Sequence, residues 1–202
     1  MSIGPYFVGD VPSQSATIHV ERDNADADLS VFDNVEAVLL APEGTSTSLS
    51  ASLVDDDVLV AWPEISPFTT PGLHRVRLTL TSLVGYRERT GDEAVVVQAD
   101  DGWQTIESAR AIWSEAPIDD GHLFQLLEVA RIQCVEFAPA FVGRAPSNYA
   151  QAQLLQARAV WASGNVSQGD QFGGEGMSVT VFPMDWTVKN LLRPTRAVRA
   201  FF

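Results

Sequence analysis

The sequence predicts an α+β chain of two domains. An all-β, immunoglobulin-like sandwich is expected over residues 1–100, followed over 103–202 by a small α-helical domain with a long loop and a short strand. Three observations predict this. Apolar residues recur with period two through the first half and with helical spacing through the second. The change falls at Asp100-Asp101-Gly102, a turn-forming triplet. Charge is also divided unequally: residues 1–102 hold 17 acidic against 5 basic side chains, a net of −12, and the rest hold 9 against 8, out of a total of −13.

The 202 residues are enough for a real core, and 46% hydrophobic with 19% charged residues is a globular composition. An apolar run of membrane-spanning length is missing, as is a basic-then-apolar leader, so synthesis in a cytoplasm and no membrane partner are expected. One cysteine, Cys134, leaves no internal disulfide and no cysteine-based zinc cluster. The acidic balance argues against nucleic acid as the main ligand, although the last 14 residues carry Lys189, Arg193, Arg196 and Arg199 and no acid.

In the first half, Ala16–Glu21, Val35–Leu40 and Val58–Trp62 alternate as strands do. Within Leu73–Leu80, Val76, Leu78 and Leu80 share one face while Arg75, Arg77 and Thr79 share the other. Glu93–Gln98 reads as a last, well-buried strand. Turn chemistry separates these runs at Asp23-Asn24, Pro42-Glu43-Gly44, Asp55-Asp56-Asp57, Pro71-Gly72 and Gly91-Asp92. About seven short strands at such spacing predict the sandwich, here without the cysteine pair of antibody domains.

In the second half, Thr105 is placed to cap a helix over 106–115, ended by Ala116-Pro117. Asp119 or Asp120 caps a second, to about Ala138, with Leu123, Leu126, Leu127, Ala130, Cys134 and Phe137 on one face and Pro139 stopping it. The organising helix runs from Pro146 to Ser163. Ala150, Leu154, Ala157 and Trp161 form its apolar stripe, Gln151, Gln153, Gln156 and Arg158 fall largely off it, and Gly164 ends it. A buried Trp161 implies a cost of roughly 3–5 kcal/mol for Trp161→Ala. Ser163–Ser178 reads as a Gly-rich loop, Val179–Phe182 as a short strand, and Thr187 as the cap of a last helix closed by Pro194.

Catalytic chemistry is hard to find. His19, His74 and His122 lack the spacing of a metal pair, and His74, on the face of Val76 and Leu78, reads as a satisfied core-edge histidine. Asn24–Asp28 has acids at calcium-loop spacing but neither the turn glycine nor the closing glutamate. Asp55–Asp57 reads as a solvated hairpin turn. The Gly-rich loop has no Lys-Ser/Thr after it and no strand before it, so a phosphate cradle is not expected. A hydrolase would need a nucleophile–base pair that does not stand out. The expectation is a binding or assembly protein, not an enzyme, with no metal and no cofactor.

Residues 103–202 resemble the head-to-tail connector (adaptor) proteins of long-tailed bacteriophages. The resemblance is carried, in order, by Ala109–Pro117, by Asp119-Asp120 before Leu126-Leu127, and by Phe137-Ala138-Pro139. Tyr149 with Gln156–Trp161 follows, and Phe182–Pro194 is the most distinctive patch. The N-terminal half is similar to the immunoglobulin-like domain of some phage baseplate and connector proteins through Tyr6–Asp10, Trp62-Pro63 and Phe68–Leu73.

The resemblance implies a ring, generally of twelve copies in that family, beneath the portal at the virion neck. Its partners would be the portal protein, its own copies and the next neck protein (a stopper or tail-completion protein). Packaged DNA would pass through the channel without specific binding. Two segments are expected to reach neighbours. The Gly-rich loop, with Gly164, Gly169, Asp170, Gly173, Gly174, Glu175 and Gly176, would face the channel or an adjacent subunit. The tail, with Arg193, Arg196, Arg199, Phe201 and Phe202, would dock on the portal. The alternative expectation is a tail or baseplate component whose sandwich binds carbohydrate through exposed aromatics.

Overall fold

The computed structural model describes residues 3–22, 25–166 and 184–193. The first hundred residues form β1 (Ile3–Phe7), β2 (Ala16–His19), β3 (Glu21–Arg22), β4 (Ala25–Asp26), β5 (Asn34–Leu40) and β6 (Ser46–Val54). After these come β7 (Asp57–Ala61), β8 (Gly72–Thr81), β9 (Arg87–Arg89) and β10 (Glu93–Gln98). Four helices follow: α1 (Ile106–Ile112), α2 (Asp120–Phe137), α3 (Ser147–Val166) and α4 (Trp186–Leu192).

The expected immunoglobulin-like sandwich of two facing sheets is not what forms. Eight strands join in one hydrogen-bonded sheet, ordered β1-β10-β8-β5-β6-β7-β2 with β9 on β8, curled into a nearly closed, barrel-like shape. The physical reason is β6. At nine residues it is long enough to pair through Ser46–Leu49 with β5 and through Ser50–Val54 with β7. A strand that serves two neighbours in succession turns the corner without breaking the ladder. β1 pairs β10 in parallel, whereas the other pairings are antiparallel.

Alternation decides which side chains enter the sheet's core. Val35, Ala37 and Leu39 stand opposite Leu80, Leu78 and Val76, and all six are buried. Ile18, Val58, Val60, Phe68, Val95 and Val97 belong to the same core, as do Leu29, Phe32 and Leu49. His74 is wholly buried, so it lies deeper than a core-edge position. Its Nε2–H donates to the Thr70 carbonyl at 2.8 Å, while Nδ1 has no partner. Asp55 and Asp56 form the β6–β7 turn, and Asp55 takes φ +53°, a left-handed value that aspartate tolerates.

Backbone proximity groups the chain into two compact units, Met1–Ala99 with Asp119–Gly121, and Asp100–Ile118 with His122–Phe202. The expectation of a cleanly separate helical domain is corrected accordingly: the start of α2 belongs with the first unit, and the chain is a mostly-β, partly α+β protein.

In the second unit Thr105 caps α1 through a reciprocal pair with Ser108. That helix ends at Ile112, three residues short of the expected end. Asp185, not Thr187, caps α4, its carboxylate accepting the Thr187 N–H at 2.6 Å. α3 continues through Gly164 to Val166. Gln151 and Arg158 are exposed as expected, but Gln153 and Gln156 are interior: Gln153 Nε2 donates to the Leu127 carbonyl at 3.0 Å, Gln153 Oε1 accepts the Gln104 N–H at 2.8 Å, and Gln156 donates to Gln133 at 2.7 Å. Trp161 is only partly buried and meets His122 edge-on at 5.1 Å, so its truncation cost falls below the range expected for a buried tryptophan. Val188 and Leu192 of α4 pack with Trp103, Cys134, Tyr149 and Ala152.

Candidate functional site

Few of the sequence-predicted site residues fall within the described structure. Gly164 is helical backbone inside α3, so the expected loop does not begin at Ser163. Gly169, Asp170, Gly173, Gly174, Glu175 and Gly176 lie outside the described residues, as do Arg196, Arg199, Phe201, Phe202 and the expected strand Val179–Phe182. Arg193 forms the C-cap of α4, its N–H bonding the Lys189 carbonyl, and its guanidinium stacks 4.4 Å over the Trp186 ring.

The patches that carry the resemblance in the first unit meet in one aromatic cluster. Tyr6 stacks on Phe68 at 4.9 Å, and Trp62 stands edge-on to both, at 5.6 and 5.3 Å. The Gly9 N–H donates to the Phe68 carbonyl at 2.9 Å, and Asp10 accepts the Phe7 N–H at 2.7 Å, so the Tyr6–Asp10 turn is tied to this cluster. Burial raises the Tyr6 hydroxyl above its ordinary pKa, opposed by the neighbouring Trp62 indole and reinforced by Asp10. The Trp62 N–H itself reaches no partner in good hydrogen-bond geometry.

Two cavities open on the first unit. One, of about 460 Å³, lies where edge strands β1 and β2 approach and is lined in part by His19, Glu21, Asp92 and Glu93. Two of these groups, His19 and Asp92, are partnered in place. His19 Nδ1 meets Asp57 at 2.7 Å, and Arg77 grips Asp92 through two nitrogens at 2.8 Å each. That bidentate grip, more than the Arg89 charge beyond it, holds the Asp92 carboxyl below its ordinary pKa. The second cavity, of about 370 Å³, is mainly apolar, with Leu39, Ala41, Pro63, Ile65 and Pro67 in its wall. Among the described residues, His, Cys, Asp and Glu nowhere form a cluster of three that could hold a metal.

In the second unit, residues 100–102 are bound to 144–145. The Ala145 N–H donates to the Asp101 carbonyl at 2.7 Å, Arg144 meets Asp100 at 2.7 Å, and Arg131 meets Asp101 at 3.3 Å. Arg144 also lowers the pKa of the exposed Asp100, chiefly by its hydrogen bond. Around this junction Trp103, Phe141 and Tyr149 make mutual ring contacts.

Large apolar side chains stay in solvent on both units. On α2, Val129, Ile132 and Val135 occupy an arc of about 120° at 100° per residue, and all are exposed, while Leu123, Leu127, Ala130 and Cys134 are buried on the other side. On the first unit the exposed set centres on Leu83–Tyr86, the turn between β8 and β9. Sequence reasoning passed over that turn, whose signal was three large apolar residues around Gly85. None of the described helices is long and apolar enough to cross a membrane. Comparison with protein-family models, with curated proteins and with solved structures found no match to this chain.

Proposed function

We propose that this protein is a structural component of a bacteriophage virion, a head-to-tail connector that assembles as a ring beneath the portal. In that position it would extend the DNA channel and present a platform for the next neck protein. The observation that carries the reading is the apolar surface the second unit leaves uncovered. α2 keeps Val129, Ile132 and Val135 in solvent among Gln125, Glu128 and Glu136, and Val142 and Trp186 add to the exposed apolar set. Large apolar side chains gathered on one helix face suit a contact with a neighbouring subunit. The ordered patches Ala109–Pro117, Gln156–Trp161 and Phe182–Pro194 give the reading its family.

The carbohydrate-binding alternative has less to stand on. In the first unit Tyr6, Trp62 and Phe68 pack on one another and on the sheet core, so they do not form an outward stacking platform.

The test is binding of the purified full chain to portal rings of the encoding phage, followed by electron microscopy, with mass spectrometry of purified particles beside it. A ring coaxial with the portal, and the chain present in particles, is the expected result. Particles lacking the chain, together with no portal binding, would overturn the reading.

A further inference from the structure

The first unit carries an apolar tip and an apolar recess at opposite ends of one strand pair. The tip is the turn Leu83–Tyr86. Its backbone is fixed by three hydrogen bonds: the Ser82 N–H to the Tyr86 carbonyl at 2.8 Å, the Gly85 N–H to the Ser82 carbonyl at 3.0 Å, and the Leu83 N–H to the Asp33 carboxylate at 2.7 Å. This ordered turn holds Leu83 at 89%, Val84 at 78% and Tyr86 at 67% exposure. The recess is the 370 Å³ cavity, and Ile65 in its wall is 82% exposed. Among the described residues these are the four most exposed large apolar side chains of the first unit.

The register places the two features. β5 and β8 are antiparallel, with Asn34 opposite Thr81 at the tip end and Leu40 opposite Arg75 at the recess end. Six strand steps at about 3.3 Å each separate those ends by about 20 Å. A tip on a hydrogen-bonded strand pair cannot fold back that far into its own recess. One charge pairing is complementary between the two ends. Arg87, directly after the tip, is exposed and only loosely paired with Glu36 at 3.8 Å, and Glu64 is next to Ile65 in the chain. Glu43 reaches the recess wall by accepting the Thr45 hydroxyl at 3.0 Å, and it also accepts the Thr70 hydroxyl at 2.7 Å.

From this we infer that the tip of one copy docks in the recess of a second copy, with Leu83 and Tyr86 seated against Ile65 and the prolines and Arg87 facing Glu64 and Glu43. The contact is heterologous: each copy keeps an unused tip or recess, so contacts propagate until a ring closes or a filament grows. A preformed turn bearing aliphatic and aromatic anchors loses little freedom on docking, which suits it to carry such an interface. This goes beyond the connector reading, because it gives the first unit a self-contact that needs no portal.

The experiment is sedimentation equilibrium of the full chain from about 1 μM to about 1 mM, with circular dichroism to confirm folding. Wild type should associate, and Leu83→Asp and Ile65→Asp should each raise the dissociation constant by about 30-fold or more, as loss of an interface anchor does. Mixing the two variants should restore a one-to-one dimer and nothing larger, because one intact tip and one intact recess remain. Arg87→Glu should weaken association, and adding Glu64→Arg in the same chain should recover it. The inference is overturned by a wild type that stays monomeric, by association that survives Ile65→Asp, or by a variant mixture that stays apart. It is equally overturned if phosphatidylcholine vesicles bind wild type but not Leu83→Asp, since lipid would then be the occupant. Association that persists in every tip and recess variant removes this contact but leaves the portal-binding test of the connector reading untouched.

Discussion

Replacing Gly102 with alanine should destabilise the second unit by about 1–4.5 kcal/mol, and the structure shows where that figure comes from. Gly102 sits at φ +92°, and a Cβ there would lie 2.6 Å from the Ala145 carbonyl oxygen, 2.6 Å from Arg144 Cγ and 2.7 Å from the Ala145 nitrogen. The arginine stem can swing away. The Ala145 backbone cannot move without stretching its 2.7 Å hydrogen bond to Asp101. A side chain at positive φ costs about 1–2 kcal/mol, the stiffer unfolded chain returns about 0.4–1, and the forced backbone shift adds about 1–3. Gly143 isolates the first two contributions, because it sits at φ +82° in the same unit with nothing within 4 Å of its added Cβ. Gly143→Ala should therefore cost about 1 kcal/mol or less. Urea unfolding followed by tryptophan fluorescence suits the measurement, since Trp103 adjoins the site. With a slope of about 1–3 kcal/mol per molar, the two midpoints should separate by about 1 M. Equal destabilisation by the two alanines, within about 0.5 kcal/mol, would refute the steric argument.

Three further outcomes are expected. Gln153→Leu should cost about 1–3 kcal/mol in the same urea assay, because it leaves the part-buried Gln104 N–H without its acceptor and removes the second bond to the Leu127 carbonyl; a change within about 0.5 kcal/mol would refute that. Asp92→Asn should remove about 1 kcal/mol at neutral pH and flatten part of the acid limb of a melting-temperature profile. Arg77 lowers the Asp92 pKa in the folded chain, so the stability from this pair is complete above the unfolded carboxyl value near pH 4 and is lost as pH falls through the lower folded value; wild-type and variant profiles that stay parallel down to strong acid would contradict it. Cys134 is wholly buried, and burial pushes its thiol up to about 11. It should react with a disulfide reagent at pH 8 only as fast as the unit opens, and labelling at the rate of an exposed thiol would show that the core is open.

Part of this protein is written locally. The alternation of Leu73–Leu80 sets a buried and an outer face whatever the strand pairs with, and Thr105 with Ser108 closes a helix start from four residues alone. Asp100-Asp101-Gly102 marks the change of period because turn chemistry acts within a few residues. Other parts depend on partners far along the chain. β6, Ser-Thr-Ser-Leu-Ser-Ala-Ser-Leu-Val, is too polar to announce itself as a strand, and only its two neighbours turn it into the corner that curls the sheet. Gln153 and Gln156 read as a solvent face until Gln104, just before α1, and Leu127 and Gln133 of α2 meet them and make burial tolerable. The tip was legible in principle as Leu83-Val84-Gly85-Tyr86, three apolar residues where a turn should be polar. Its distance from the recess was not, because that follows from the β5–β8 register. Sequence determines what each segment prefers to expose, since that preference is local. Which distant segments satisfy it is decided by strand register and by polar groups finding one another, and those are properties of the folded whole.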